Sequence, residues 1–193
     1  MTIYHRIYQQ IMQSPKGFFS EDELDLMKVA YRAAFSWCIP TEEIFTLLSM
    51  YSPFVEVGAG SGYWAWEMRK RGIKVTAFDC LSNYLDSADN QQSWINDICR
   101  AYAGYHTGRD SKNSTLLIVS PQYRGEMAYD ALNAHKGKHF VYVGTPKIEM
   151  NCGDKFAAML EQEYKPLCFS EIPNWPGDDN MCFIYERMDK KGV

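Results

Sequence analysis

Residues 54–79 read FVEVGAGSGYWAWEMRKRGIKVTAFD, and this stretch decides the fold. Phe54, Val55 and Val57 are apolar and β-favouring, as a buried central strand over 54–58 requires. Glycines then stand at Gly58, Gly60 and Gly62, with Glu56 two residues before the first. They let the chain turn sharply and let a ligand approach the backbone with no Cβ in the way. A helix over 62–71 and a second strand over 74–79 follow, and that strand closes on Asp79. Strand, glycine turn, helix, strand and terminal acid make the front half of a nucleotide-cofactor site. The dinucleotide fingerprint is G-x-G-x-x-G. Here Tyr63 occupies its third-glycine position, and the spacing is G-x-G-x-G.

A carboxylate at Asp79 can accept hydrogen bonds from both ribose hydroxyls. The whole pattern, acid-x-G-x-G-x-G with a downstream acid, resembles motif I of the class I S-adenosylmethionine (SAM) methyltransferases. The resemblance implies SAM as cofactor. It also implies a cofactor site built from Glu56, Gly58, Ala59, Gly60, Gly62, Asp79 and the neighbouring Cys80. Glu56 would brace the loop and face the cationic methionyl end. Trp37 and Pro40, ahead of the first strand, are candidates to close over that end, with a purely packing role as the alternative.

The chain has 193 residues, 46% of them apolar and 23% charged. That suffices for one domain with a full sheet and helices on both faces. A net charge of −4 argues against broad contact with a nucleic-acid backbone. The one basic cluster, Arg69-Lys70-Arg71 with Lys74, falls at a helix end, where cations suit the dipole. The six cysteines form no C-x-x-C pair, and no metal-ligand spacing joins them to the four histidines. Free thiols in a reducing cytoplasm are expected, with no metal. The N-terminus lacks the apolar core of a signal peptide. No apolar run approaches the length of a membrane span.

Residues 1–50 read as an N-terminal helical extension or lid. A short helix precedes a turn at 14–17, and Ser20 with Glu23 forms a capping box opening a helix. Leu24, Met27, Tyr31 and Ala34 follow at helical spacing, and Thr41 or a neighbour caps a further helix carrying Ile44, Leu47 and Leu48. Residues 51–193 read as the cofactor-binding domain. Helix B is expected within 84–101 and a short third strand near 102–107. Strand 4 is expected over 115–120, helix D over 125–135, and strand 5 over 139–144. Helix E follows over 154–164, strand 6 over 167–172 and strand 7 over 181–187. This is an α/β, Rossmann-like doubly wound sheet of about seven strands with helices on both faces. No helix separates the last two strands, so strand 7 should lie antiparallel, as in the class I methyltransferases. Asp110 is a candidate for the adenine contact and His106 for a base.

Strand 4 ends in Ser120-Pro121-Gln122-Tyr123, and ligands of doubly wound folds bind beyond such strand ends. The segment resembles the [D/N/S]-P-P-[Y/F] motif of amino-methyltransferases, with Gln122 in place of the second proline. The resemblance implies that Ser120 and Tyr123 serve catalysis. Side-chain and backbone oxygens would hold a target NH₂ while the ring stacks on the acceptor. Ser120 and Pro121 would also wall the cofactor. From about Trp37 onward the chain further resembles a group of small methyltransferase-like proteins of unassigned activity. The matching pieces are 37–41, 55–64, 120–123, 141–144 and 172–177.

Trp175, in a Pro/Gly turn, is a candidate stacking residue for substrate, as are Trp37 and Tyr123. Packing of Trp175 back on the sheet is the alternative. The function implied is methyl transfer from SAM to a small-molecule or protein side-chain acceptor. Nitrogen is a candidate target atom, and nucleic acid and membrane partners are not expected. The alternative is a non-catalytic SAM-binding interaction protein. A nicotinamide-dependent oxidoreductase is disfavoured by the glycine spacing.

Overall fold

The computed structural model describes residues 1–80, 93–100, 111–123 and 125–189. Three helices lead: α1 (Ile3–Met12), α2 (Glu21–Ala34) and α3 (Glu42–Ser49). Then come β1 (Phe54–Val57), α4 (Tyr63–Lys70), β2 (Val75–Asp79) and β3 (Cys99–Arg100). β4 (Thr115–Val119), α5 (Met127–Ala134) and β5 (His139–Gly144) follow. The chain ends through α6 (Ile148–Cys152), α7 (Asp154–Glu163), β6 (Tyr164–Glu171) and β7 (Met181–Arg187).

The strands form one sheet in the order β3-β2-β1-β4-β5-β7-β6. Six have four residues or more, and β3 has only two. β1 pairs in parallel with both β2 and β4, and β7 runs antiparallel between β5 and β6. The doubly wound order and the antiparallel finish agree with the sequence. The chain walks outward from β1 through β2 to β3, then returns to β4 on the other side of β1. The topological switch point therefore lies between β1 and β4, where such folds bind ligands.

The alternation of strand residues sorts the core onto two faces. Phe54, Val141 and Val143 point to the face covered by Ile44, Phe45 and Leu48 of α3 and by Trp64 and Met68 of α4. Val55, Val57, Phe140 and Tyr142 point to the face covered by α5 and α7. A third cluster joins Tyr4, Phe35, Ile39, Tyr63 and Trp175. The capping box forms: the Ser20 hydroxyl accepts from the Glu23 N–H, and the Glu23 carboxylate accepts from the Ser20 N–H. Thr41 caps α3 in the same way, accepting from the Ile44 N–H at 3.2 Å.

Two expectations shift, and one helix is new. Residues 93–98, expected in helix B, run as irregular chain into β3 at Cys99–Arg100; the rest of that helix, the strand near 102–107, His106 and Asp110 lie outside the described residues. β6 starts three residues early and contains Pro166, tolerated because this is the sheet edge. α6 has no side-chain cap and only five residues, too few for a periodicity. Among the described residues no helix is long and apolar enough to cross a membrane, and no cluster suits a metal ion. All six cysteines are free. The basic cluster is paired with acids: Arg69 with Asp97, Lys70 with Glu67, and Arg71 with Glu42 and Glu67.

Candidate cofactor and acceptor site

A cavity of about 810 Å³ opens above the carboxyl ends of β1, β2 and β4. That size falls within the range of small-molecule and cofactor sites. Its floor is Glu56 to Ser61, one wall is Asp79 and Cys80, and another is Ser120 to Tyr123. Residues 32–37, at the end of α2 and just beyond it, line the cavity as well, apart from Ala34.

The glycine turn is held by its own strand partners. Gly58 and Ala59 both donate to the Phe78 carbonyl, at 2.9 and 3.1 Å. The Gly60 N–H donates to Asp79 Oδ2 at 2.8 Å, and the Gly62 N–H donates to the Ala59 carbonyl at 2.8 Å. These four amides are therefore committed within the protein. A pyrophosphate cradle needs such amides turned outward to the ligand. The turn instead offers close approach without a phosphate grip, which separates it from a dinucleotide site. It also corrects a role: Asp79, not Glu56, braces the loop.

Glu56 is 1% exposed. Burial pushes its carboxyl up to about 8 from the usual 4.5, and the nearby Asp79 adds to the rise. The Ala65 N–H hydrogen-bonds it and pulls the other way. Oε2 has no hydrogen-bond partner. A buried acid with an empty acceptor, on the floor of a cavity, fits a cationic group arriving from the cavity side.

Of the other expected cofactor residues, Gly58, Ala59, Gly60, Cys80, Ser120 and Pro121 all line the cavity. At Gly58 an added Cβ would lie 2.8 Å from Met127 Cε, so the turn packs tightly against α5. Gly62 does not line the cavity. It starts α4 at φ +76°, and an added Cβ would come within 2.6 Å of Ile95 Cγ1, so its task is backbone geometry. Pro40 is another correction. The chain dives inward after Trp37, Cys38 and Ile39 enter the core, and the buried Pro40 carbonyl accepts from the Thr2 hydroxyl at 2.9 Å.

On the acceptor side, Tyr123 and Trp37 line the cavity and are 60% and 56% exposed. Ser120 takes φ +46°, a left-handed conformation unusual for serine, and its N–H donates to the Val143 carbonyl at 2.7 Å. Trp175 is not at the site. It is 1% exposed, stacks on Tyr31, meets Tyr8 edge-on, and its Nε1–H donates to the Tyr4 hydroxyl at 2.8 Å. The helices that cover it come from the other end of the chain, so its Pro/Gly setting gave no sign of them. The sequence also gave no local signal for Arg32, Met127, Asp130 and Asn151, which line the cavity from three different helices.

Comparison with solved structures finds the same architecture. The methyltransferase domain of a bacterial Hen1 protein (CtHen1-C) is 12% identical with a TM-score of 0.52, over 75% of this chain and 94% of that one. Sp1610 of Streptococcus pneumoniae, provisionally assigned as a tRNA (m1A22) methyltransferase, is 12% identical with a TM-score of 0.50. That match covers 80% of this chain and 73% of the other. PH0226 of Pyrococcus horikoshii OT3 gives 9% identity and a TM-score of 0.50, over 88% and 100%. The fold is that of the class I methyltransferases. No protein-family profile and no curated protein matches the chain.

Within that fold the cavity sits at the switch point, and the two carboxylates lie on its β1 and β2 sides. The exposed aromatic rings sit on its other rim.

Proposed function

We propose that this chain is a SAM-dependent methyltransferase acting on a small-molecule or protein side-chain acceptor, with nitrogen one candidate target atom. The observation that carries the reading is the glycine turn. Its amides are closed by internal hydrogen bonds and Asp79, above a buried Glu56 with an unpartnered oxygen. That combination suits a nucleoside bearing a cationic amino-acid end and no phosphate.

Glu56 would accept from the methionyl ammonium. Asp79 would share its carboxylate between the Gly60 amide and the ribose hydroxyls. Gly58, Ala59 and Gly60 would let the ligand lie against the backbone, beside Cys80 and Pro121. When bound, SAM supplies a sulfonium-activated methyl group. The protein's part is then positioning and exclusion of water. Ser120, held in its strained conformation, and Tyr123, on the rim, would orient the acceptor, with Trp37 as a second stacking face. Residues 1–50 would act as the cover, and free thiols fit a reducing cytoplasm.

The test is calorimetric titration with S-adenosylhomocysteine, beside an Asp79→Ala variant. Micromolar binding that is lost in the variant is the expected result. A folded wild type that binds neither S-adenosylhomocysteine nor SAM would sink the reading.

A further inference from the structure

Among the described residues three buried side-chain polar atoms lack a hydrogen-bond partner: Glu56 Oε2, Arg32 Nε and His135 Nδ1. Glu56 and Arg32 line the same cavity. They are opposite in kind, an empty acceptor on an acid and an unused donor on a cation.

Arg32 stands in α2, one turn after Lys28. Its Nη2 donates to Asp178 Oδ2, and Lys28 Nζ lies 2.8 Å from Asp178 Oδ1. Two cations thus share one carboxylate, and the trio keeps an excess of one positive charge. Their side chains are only 14–16% exposed, so water screens that excess weakly. The Trp37 ring covers the guanidinium, with 4.6 Å from its centroid to Cζ. Asp179, next in sequence to Asp178, is held by Lys147 at 2.9 Å. Asp130, on α5, lines the cavity beside the acids Glu56 and Asp79.

A buried donor left unpaired costs about 1–3 kcal/mol. A carboxylate would satisfy that donor and neutralise the excess charge together, and the guanidinium fork matches its geometry. We propose that Arg32, oriented by Asp178 and capped by Trp37, is a carboxylate anchor of this cavity. The carboxylate has two possible sources, the methionyl end of the cofactor or the acceptor; the choice between them rests on the methyltransferase reading.

The experiment compares three probes by calorimetry on wild type, Arg32→Gln and Arg32→Lys. S-adenosylhomocysteine carries the amino-acid end; 5′-methylthioadenosine is the same thioether nucleoside without it. Benzoate, a bare carboxylate on a ring, is titrated into protein with and without saturating S-adenosylhomocysteine. The lysine variant keeps the charge and the Asp178 pair but has no fork, and thermal melts show that each variant is folded. If the cofactor is the source, both variants weaken S-adenosylhomocysteine by about tenfold or more and leave 5′-methylthioadenosine unchanged. If the acceptor is the source, both nucleosides bind as before and benzoate binding is lost in both variants. Equal binding of all three probes by wild type and variants overturns the anchor. A wild type blind to both nucleosides counts against the cofactor reading alone. Benzoate binding lost in the variants would then still uphold the anchor, and no benzoate binding at all would overturn it too.

Discussion

Replacing Glu56 by glutamine should make the ligand-free protein more stable as the pH rises while spoiling the site. The native carboxyl is pushed up to about 8, against 4.5 for an ordinary one. Between those values the unfolded chain has released its proton and the native state still holds it. Wild-type stability therefore falls as pH rises from about 4.5 to about 8. From pH 5 to pH 7.5 the loss attributable to this one group is about 3 kcal/mol. Glutamine does not titrate, so the stability of Glu56→Gln relative to wild type should climb by that amount over the same interval. For a chain of this length that is a relative gain of roughly 6–12 °C in melting temperature. Urea unfolding of both proteins at pH 5, 6, 7 and 7.5 reads the difference directly. Any constant offset from packing the amide cancels in the comparison. An ammonium-bearing ligand should bind wild type more tightly as Glu56 ionises toward pH 8, and the variant should lack that slope. Two stability curves that stay parallel across the range would refute the account of Glu56 as a buried, uncompensated acid.

Burial lowers His135 to about 4 from 6.5, partly offset by the His139 carbonyl 3.0 Å from Nε2. Below pH 6.5 the unfolded state takes up a proton that native His135 refuses, so stability is lost as pH falls toward 4. His135→Gln should recover about 2 kcal/mol relative to wild type between pH 7 and pH 4.5, read by denaturant midpoints. Trp175→Ala removes a fully buried indole from beneath α1 and α2 and should cost about 3–5 kcal/mol. The loss should appear first as protease cleavage within residues 1–36 under conditions where the sheet resists; simultaneous cleavage throughout would contradict the separate clamping of these helices.

The strands were legible where burial on both faces writes a continuous apolar run, as in 54–57, 115–119 and 139–144. Helix starts were legible where a side chain caps them, at Ser20 and Thr41. The cavity floor was legible because glycine turn and acid are neighbours in sequence. What escaped was whatever distant segments decide. Glu56 and Asp79 were both singled out, but which of them braces the turn depends on the offset between β1 and β2. Trp175 looked exposed because its cover lies more than 140 residues away, in α1 and α2. Arg32 was not singled out at all, because its partner Asp178 is 146 residues distant.

β7 occupies an inner place in the sheet although it follows β6 in the chain. Until residues 181–187 emerge, β5 lacks its outer neighbour and β6 has no strand to pair with. The turn that receives α1 and α2, with Asn174 accepting from the Tyr8 hydroxyl and Trp175 donating to Tyr4, arrives only just before it. During synthesis α1 and α2 can pack early on Tyr63 and Trp94, but the part of their aromatic face that meets Trp175 must wait until that residue is made. A nascent chain halted before residue 175 would hold the glycine turn and both carboxylates under a roof fastened only by its earlier contacts, such as Tyr4 to Tyr63 and Ser61 to Phe35. Loss of the segment through Trp175 and β7 would thus loosen a region more than 140 residues away, and ribosome-bound intermediates of increasing length should reach full ligand affinity only once residue 175 and β7 are made.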